Sequence, residues 1–176
     1  MNSTTLYNIF LKEFPWTPTE DQKKGLWGLT HLFIPENNKL KKDDVFLLLG
    51  YAGTGKTTVA QAFSKALKHI GWRSVLVAPT GRAAKILQGT WGQRAWTLHR
   101  MLYISVRGTD GVFKRIRRKN KGKKLIFIID EASMISDSSE NGQILNDLLY
   151  FVKSGKDCKL ILAGDKAQLP PVGQIY

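Results

Sequence analysis

The sequence predicts an α/β domain in which one parallel sheet is covered by helices on both faces. Four short segments are continuous apolar runs, the pattern of strands that are buried on both sides of a sheet. Stretches with apolar residues at helical spacing alternate with these runs, as in a doubly wound domain with right-handed crossovers. The chain has 176 residues and 43% hydrophobic content, which is enough for one sizeable packed domain.

The N-terminal region predicts two helices before the first strand. In residues 3–14, apolar side chains recur at helical spacing. Thr17–Glu20 has the pattern of a capping box with a proline at the first helical position, which predicts a helix from there to about Phe33. A polar, lysine-rich loop is expected to follow over residues 35–44.

The remainder of the chain alternates strands and helices. The predicted strands, each expected to be buried, are Val45–Leu49, Ser74–Ala78, Leu125–Ile129 and Leu160–Ala163. The predicted helices between and after them are Lys56–Ile70, Gly81–Leu87 and Gln143–Val152.

One stretch, residues 101–124, breaks this alternation. Two β-type runs, 103–106 and 112–116, flank the segment Arg107–Gly111, which carries glycine and Asp-Gly turn signals. We therefore expect a small β-hairpin insertion that lies outside the main sheet.

Residues 50–57 read GYAGTGKT, which is the phosphate-binding pattern G-x-x-x-x-G-K-[ST] placed between a strand and a helix. Backbone N–H groups of such a loop surround nucleotide phosphates, and the helix that follows directs its positive end at them. Lys56 is expected to reach the β- and γ-phosphates of ATP, and the Thr57 hydroxyl to bind Mg²⁺. The alternative is a glycine turn that happens to carry a lysine. The predicted nucleotide-binding residues are Gly50, Gly53, Thr54, Gly55, Lys56, Thr57 and Thr58.

Two acids, Asp130 and Glu131, end the predicted strand Leu125–Ile129. Ligands of such sheets bind beyond the carboxyl ends of the strands. Asp130 is therefore placed to hold Mg²⁺, directly or through water, and Glu131 to orient and deprotonate an attacking water. The alternative is a surface acid pair that caps a helix.

Two further segments follow strands and reach the same edge of the sheet. Gly164–Gly173 brings Gln168, whose amide can both donate to and accept from a γ-phosphate environment; the alternative is a Gly/Pro-rich turn with polar filler. Thr80, Gly81 and Arg82 combine a hydroxyl, a glycine backbone and a helix N-terminus, which suits a phosphate of a nucleic-acid backbone.

The net charge of +13 and the pI near 9.9 indicate a polyanionic partner, nucleic acid before a membrane surface. Residues 107–124 hold nine basic residues and one acid, a net +8 of that total. A solvated basic loop is the alternative to a nucleic-acid contact there. No apolar run approaches the ~18 residues of a membrane span, no secretory signal is visible, and Cys158 is the one cysteine. We therefore expect a cytoplasmic protein without an internal disulfide.

The order GYAGTGKTT, APTGRAA, TLH, IIDEASM and GDKAQLPPVG resembles the RecD-like group of superfamily 1 DNA helicases, which includes the alpha subunit of exodeoxyribonuclease V and the phage Dda helicase. The similarity spans residues 17–173 and implies a RecA-like P-loop NTPase domain that uses ATP and Mg²⁺. It implies that Gln22 contacts the adenine and that Thr80, Gly81, Arg82, Thr97 and His99 lie along single-stranded DNA. It implies catalytic roles for Lys56, Glu131 and Gln168, and Mg²⁺ binding by Thr57 and Asp130.

The hairpin in residues 101–124 corresponds in place to the small inserted domain of this family, whose pin splits the duplex. The resemblance thus implies contacts with DNA and duplex junctions by Lys114 and Arg115, with Phe113 as an apolar contact. In the family a second RecA-like domain follows the GDxxQLPPVG motif and supplies an arginine finger. We therefore expect residues 1–176 to be the first motor domain of a longer protein. Alone, this domain is expected to bind nucleotide weakly, to hydrolyse little ATP and not to unwind DNA. The alternatives are a nucleotide-gated DNA-binding module without turnover and a P-loop kinase.

Overall fold

The computed structural model describes residues 2–33, 44–107, 109, 111–135 and 143–165. The strands in these residues are β1 (Val45–Leu49), β2 (Arg73–Ala78), β3 (Ala95–Thr97), β4 (Tyr103–Arg107), β5 (Phe113–Arg117), β6 (Leu125–Ile129) and β7 (Lys159–Gly164). The helices are α1 (Ser3–Lys12), α2 (Glu20–His31), α3 (Lys56–Lys68), α4 (Gly81–Trp91), α5 (Leu98–Leu102) and α6 (Ile144–Lys153), with a 3-10 turn at Ala132–Met134.

Five strands form one parallel sheet in the order β1-β7-β6-β2-β3. Its two faces carry separate cores, because successive side chains of a strand point to opposite sides. Leu76, Ile128 and Ile161 face the core formed with α1, α2, α3 and α4. Val77 and Ile129 face the core formed with α5 and α6. The predicted α/β class, with a parallel sheet and helices on both faces, is confirmed.

The N-cap of helix α2 lies two residues later than predicted. Thr19 is the N-cap residue: its hydroxyl accepts from Gln22 N at 3.3 Å, and Gln22 Oε1 accepts from Thr19 N at 3.0 Å. The prediction that Pro18 is the first helical residue is wrong. Thr19–Gln22 also satisfies the capping-box pattern, and this choice places Glu20 and an adjacent aspartate at the positive end of the helix dipole.

Strand β1 is not buried as the sequence predicted. Among the described residues it pairs with β7 alone, so it forms an edge of the sheet. Leu48 faces the α3 side and is 7% exposed, whereas Leu47 and Leu49 face the other side and are 40% and 37% exposed. A continuous apolar run predicts a strand, but it does not distinguish a central position from an edge that lacks a covering helix.

Two elements were missed and one was predicted too short. β3 and α5 together cover only eight residues, 95–102, which is below the length at which periodicity is informative. Helix α4 continues to Trp91 because Gly92, at φ 60°, supplies the left-handed residue that ends it.

Strands β4 and β5 form a separate two-stranded antiparallel sheet, as predicted for the insertion. The insertion starts later than residue 101, since Met101 and Leu102 lie in α5 and are buried. At its root, Tyr103 Oη donates to Asp147 of α6 at 2.6 Å, and Arg117 pairs with the same carboxylate at 2.8 Å. Burial, followed by this hydrogen bond, raises the pKa of Tyr103 to about 12.

The return of the insertion to β6 is fixed by a buried asparagine. Asn120 N donates to Ser154 Oγ at 2.8 Å, and its Nδ2 lies 3.3 Å from Cys158 Sγ. Asn120 Oδ1 accepts from Gly122 N at 2.8 Å, so both ends of the amide are satisfied in a buried place. Cys158 is a free, buried thiol.

Across the described part of the chain, every helix is too short or too polar to cross a bilayer.

Candidate active site

The loop 50–55 joins β1 to α3 and is shaped by two glycines in the left-handed region. Gly53 has φ 75° and Gly55 has φ 82°, a conformation that costs a residue with a Cβ about 1–2 kcal/mol. Gly55 is the N-cap residue of α3, so the first turn of that helix points its free N–H groups into the loop. Lys56 Nζ donates to the carbonyls of Gly50 at 2.6 Å and Tyr51 at 2.7 Å. The ammonium group thus lies directly over the loop.

The side chains within the loop fix its shape. Thr54 Oγ1 donates to Tyr51 O at 2.8 Å. A Cβ added at Gly50 would lie 2.8 Å from Thr54 Oγ1, which explains a glycine there by space rather than by φ. Thr58 follows in the first turn of α3 and is partly buried.

Gln22 reaches from α2 to the same loop. Its Nε2 donates to Thr54 O at 3.2 Å, while Oε1 accepts from its own helix cap. One N–H and one lone pair of the amide remain. A donor and an acceptor side by side are what the N6 and N7 groups of adenine require. Gln22 also borders a cleft of about 480 Å³ with Phe46, Gly50 and Lys56, which we call the first cleft.

The two predicted metal-binding side chains are in contact. Thr57 Oγ1 donates to Asp130 Oδ2 at 3.2 Å, so the start of α3 meets the carboxyl end of β6. The other carboxylate oxygen, Asp130 Oδ1, accepts from Glu131 N at 3.0 Å. Glu131 has φ 56°, an uncommon conformation for this residue type, and its side chain is exposed. A hydroxyl and a carboxylate are the oxygen ligands that Mg²⁺ takes, so the residues present fit that ion.

A second cleft, of about 600 Å³, joins this pair to the segment after β2. Thr57, Asp130 and Glu131 form one wall, and Thr80 and Arg82 form part of the other. The residues predicted for Mg²⁺ and two of those predicted for DNA therefore border the same space. The second cleft also contains two apolar side chains that sequence reasoning missed, Ile86 at 62% and Met134 at 54% exposure.

The two predicted DNA-binding threonines also cap helices. Thr80 Oγ1 accepts from Ala83 N at 3.2 Å at the start of α4, and Thr97 Oγ1 accepts from Arg100 N at 3.3 Å at the start of α5. A hydroxyl that accepts one bond still has its proton to donate, so capping leaves each of them able to bind a phosphate oxygen. Gly81 and His99 follow these caps in the first turns of the two helices, and Gly81 is exposed.

The predicted hairpin contacts lie apart from both clefts. Lys114 is opposite Val106, and Arg115 is opposite Ser105, so the two cations face opposite sides of the hairpin. Phe113 is 70% exposed near its tip. Neither of the two clefts is bordered by a described hairpin residue. Gln168 lies outside the described residues.

The sequence model of one family, described as an AAA domain, matches residues 37–174. The ATP-dependent RecD2 DNA helicase of Deinococcus radiodurans is 32% identical over 150 residues, which cover 85% of this chain and 19% of that protein. The probable conjugal transfer protein TraA of Sinorhizobium fredii is 33% identical over 127 residues, 71% of this chain and 10% of the relative. The ATP-dependent DNA helicase dda of Enterobacteria phage T4 is 34% identical over 126 residues, 70% and 27% of the respective lengths.

The chain thus spans between a tenth and about a quarter of the length of these relatives. The family match covers more than half of the chain and includes the phosphate-binding loop, the Asp130–Glu131 pair and the hairpin. The chain belongs to this AAA domain family and, within it, to the RecD-like superfamily 1 helicase group that its motifs resemble.

Proposed function

We propose that this domain is the first motor domain of an ATP-dependent DNA helicase, which hydrolyses ATP to move along single-stranded DNA. The observation that carries the proposal is the second cleft, where the Thr57–Asp130 contact and the Thr80–Arg82 segment border one space. A nucleotide and a nucleic-acid strand bound there would share walls, which is the arrangement that a motor needs to couple the two.

The nucleotide is held by the loop 50–55 and the first turn of α3, which together cover residues 50–58. Its N–H groups bind the phosphates, and Lys56 exchanges its two loop carbonyls for phosphate oxygens. The spare donor and acceptor of Gln22 bind the adenine. Thr57 and Asp130 are the residues that would hold Mg²⁺, which when bound neutralises charge on the β- and γ-phosphates.

Glu131 acts as the general base. Its exposed carboxylate lies in the second cleft beside Asp130, within the space that an attacking water would share with the phosphates. Gln168, which follows β7 in the sequence, is assigned to sense the γ-phosphate.

The single-stranded DNA binds through hydroxyl and cationic contacts with its phosphates. The residues along it are Thr80, Gly81, Arg82, Thr97 and His99. The hairpin, with Lys114, Arg115 and Phe113, meets the duplex junction. A second motor domain of the same protein supplies the arginine finger and the remainder of the track, and the cytoplasm is the compartment that fits a DNA substrate and one free cysteine.

Reciprocal linkage tests the proposal. The Kd of a fluorescein-labelled 15-nucleotide dT strand is measured by anisotropy with and without a non-hydrolysable ATP analogue, and the Kd of a fluorescent analogue with and without unlabelled strand. We expect both values to change by the same factor, roughly 5-fold or more. Independent binding of the two ligands would contradict the proposal.

Turnover separates a motor from a nucleotide-gated binding module. Phosphate release that single-stranded DNA stimulates, and that Glu131→Gln abolishes while analogue binding is retained, identifies a motor. Linkage without any stimulated release, also in the presence of the second motor domain, identifies a gate instead. Phosphate transfer to a small-molecule acceptor would identify a kinase.

A further inference from the structure

The acids of this chain are distributed very unevenly. Between Asp44 and Asp110 there is no aspartate or glutamate, while nine lysines and arginines occur. This stretch includes β2, α4, β3 and α5, which form the outer edge of the sheet opposite β1. The cations of this edge therefore have no carboxylate close in sequence to neutralise them.

Three of these cations converge on one groove. Lys85 of α4, Arg94 and Arg100 border a cleft of about 270 Å³ between α4 and β3, which we call the third cleft. The guanidinium carbon of Arg94 lies 4.0 Å from the ring centroid of Trp96, and that of Arg100 lies 5.5 Å from it. All three charged side chains are exposed, and within the described ranges none of them forms an ion pair.

This arrangement selects an anion. Two guanidinium groups over one indole repel each other, and the cation–π attraction of about 0.5–1 kcal/mol at an exposed site holds them in place. Stacking on Trp96 also fixes their orientation, so that less side-chain entropy is lost when they bind a partner. A phosphate accepts paired N–H groups from arginine and offsets the repulsion, which makes it the ligand that this groove fits.

The third cleft lies next to the residues proposed above to bind single-stranded DNA. Gly81 and Thr97 border it, so it adjoins the segment Thr80–Arg82 along the carboxyl ends of β2 and β3. We infer that Lys85, Arg94 and Arg100, positioned by Trp96, bind the backbone phosphates of single-stranded DNA where the strand crosses the outer edge of the sheet. This inference rests on the proposed function and extends its DNA site to residues that no motif of the sequence singled out.

The salt dependence of binding tests the inference. The variant Lys85→Gln/Arg94→Gln/Arg100→Gln is compared with the unaltered chain in anisotropy titrations of the labelled dT strand at several KCl concentrations. Each lost phosphate contact flattens the slope of log K against log salt by about 0.7, so we expect a change of up to roughly 2. The matched control is Lys65→Gln/Lys68→Gln/Lys153→Gln, which removes three exposed charges from the last turns of α3 and α6 and leaves the slope unchanged.

Lys85→Gln alone guards against misfolding, since this exposed lysine has no described hydrogen bond or ion pair, and we expect it to flatten the slope by about 0.7. An unchanged slope in the triple variant would overturn the inference. If an Arg82→Gln variant still flattened the slope, the proposed function would stand without this extension. If the unaltered chain did not bind the labelled dT strand, both the proposed function and this inference would be contradicted. Equal losses in the triple variant and the control would reduce the effect to net charge and overturn the inference as well.

Discussion

The Thr57 hydroxyl donates a hydrogen bond to Asp130 Oδ2 at 3.2 Å, across 73 positions of sequence. This contact joins the first turn of α3 to the carboxyl end of β6. The hydroxyl and the carboxylate lie close enough for both oxygens to bind one ion. The pair therefore gives a direct way to test the metal assignment.

Thr57→Ala should remove the Mg²⁺-dependent part of nucleotide affinity, because it deletes one proposed ligand and leaves the loop backbone intact. Thr57→Ser keeps the hydroxyl and should retain that part. A fluorescent ADP analogue, titrated with Mg²⁺ and with EDTA, measures the difference. A Thr57→Ala protein with the full Mg²⁺ enhancement would exclude this residue as a ligand.

Lys56→Ala should abolish ATP binding in calorimetry. The substitution removes an ammonium group that lies over the loop, within 2.7 Å of two of its carbonyls. Lys65→Ala, on the same helix but in its last turns, is the control and should bind ATP as the unaltered protein does. Equal affinities of the Lys56 and Lys65 variants would show that the phosphates bind elsewhere.

Gly55→Ala should destabilise the domain more than Gly53→Ala. Both glycines have positive φ, so each alanine costs about 1–2 kcal/mol of strain. At Gly55 the new Cβ would also lie 2.5 Å from Gln22 Nε2, whereas at Gly53 it meets nothing within 4 Å. Urea unfolding of both variants measures the difference. Adding Gln22→Ala to both variants should reduce the difference between their free energies of unfolding. If that difference stayed the same, the contact with Gln22 would not be its cause.

Tyr103 predicts a loss of stability in alkaline solution. Its pKa is about 12 in the folded protein against an ordinary 10.0, so the folded state holds the phenol proton more tightly than the unfolded chain. The stabilisation is complete below pH 10 and is lost as the pH rises towards 12. The difference in unfolding free energy between the unaltered protein and Tyr103→Phe should therefore shrink over that window in denaturant titrations. A constant difference would show that burial and the hydrogen bond to Asp147 do not raise the pKa of Tyr103 in the folded protein.

Lys114→Gln/Arg115→Gln should flatten the salt slope of dT binding by up to roughly 1.4 if the hairpin contacts two phosphates. Arg117 and Arg118 are left unaltered, since Arg117 pairs with Asp147 and Arg118 donates to Tyr103 O at 3.2 Å. Substitution of Arg117 and Arg118 would remove contacts that hold the hairpin in place as well as its positive charge. Anisotropy titrations with the double variant give the answer, and an unchanged slope would leave the hairpin out of the single-strand path.

The parts of the fold that the sequence predicted best are those where local and global signals agree. The loop around Gly55 and the strand before Asp130 carry motif, periodicity and position at once, and the structure brings them together at Thr57. The edge position of β1 was not predictable, because an apolar run such as Val45–Leu49 has the same sequence pattern in an edge strand as in a central strand. The exposure of Leu47 and Leu49 therefore has no signal in the sequence. The shift of the N-cap from Thr17 to Thr19 was not predictable with certainty, because two overlapping capping patterns start two residues apart, and the structure uses the one that ends at Gln22.

The third cleft was missed for a similar reason. Lys85, Arg94 and Arg100 are spread over sixteen positions and carry no motif, and only the pairing of β2 with β3 brings them to one groove. The absence of acids between Asp44 and Asp110 is nevertheless a signal in the amino-acid sequence, since it predicts an unneutralised basic surface in this part of the fold.

The hairpin is attached to helix α6 at two points, Asp147 in its first turn and Ser154 at its end. A segment attached to a helix at one point can rotate about that point, whereas a segment attached near both ends of the helix moves together with it. A force on the hairpin near Phe113 would therefore also act on α6. That helix packs on Phe127 and Ile129, the strand residues just before Asp130. We therefore expect a displacement of the hairpin to be felt, through α6, at the strand that ends beside Asp130 and Glu131.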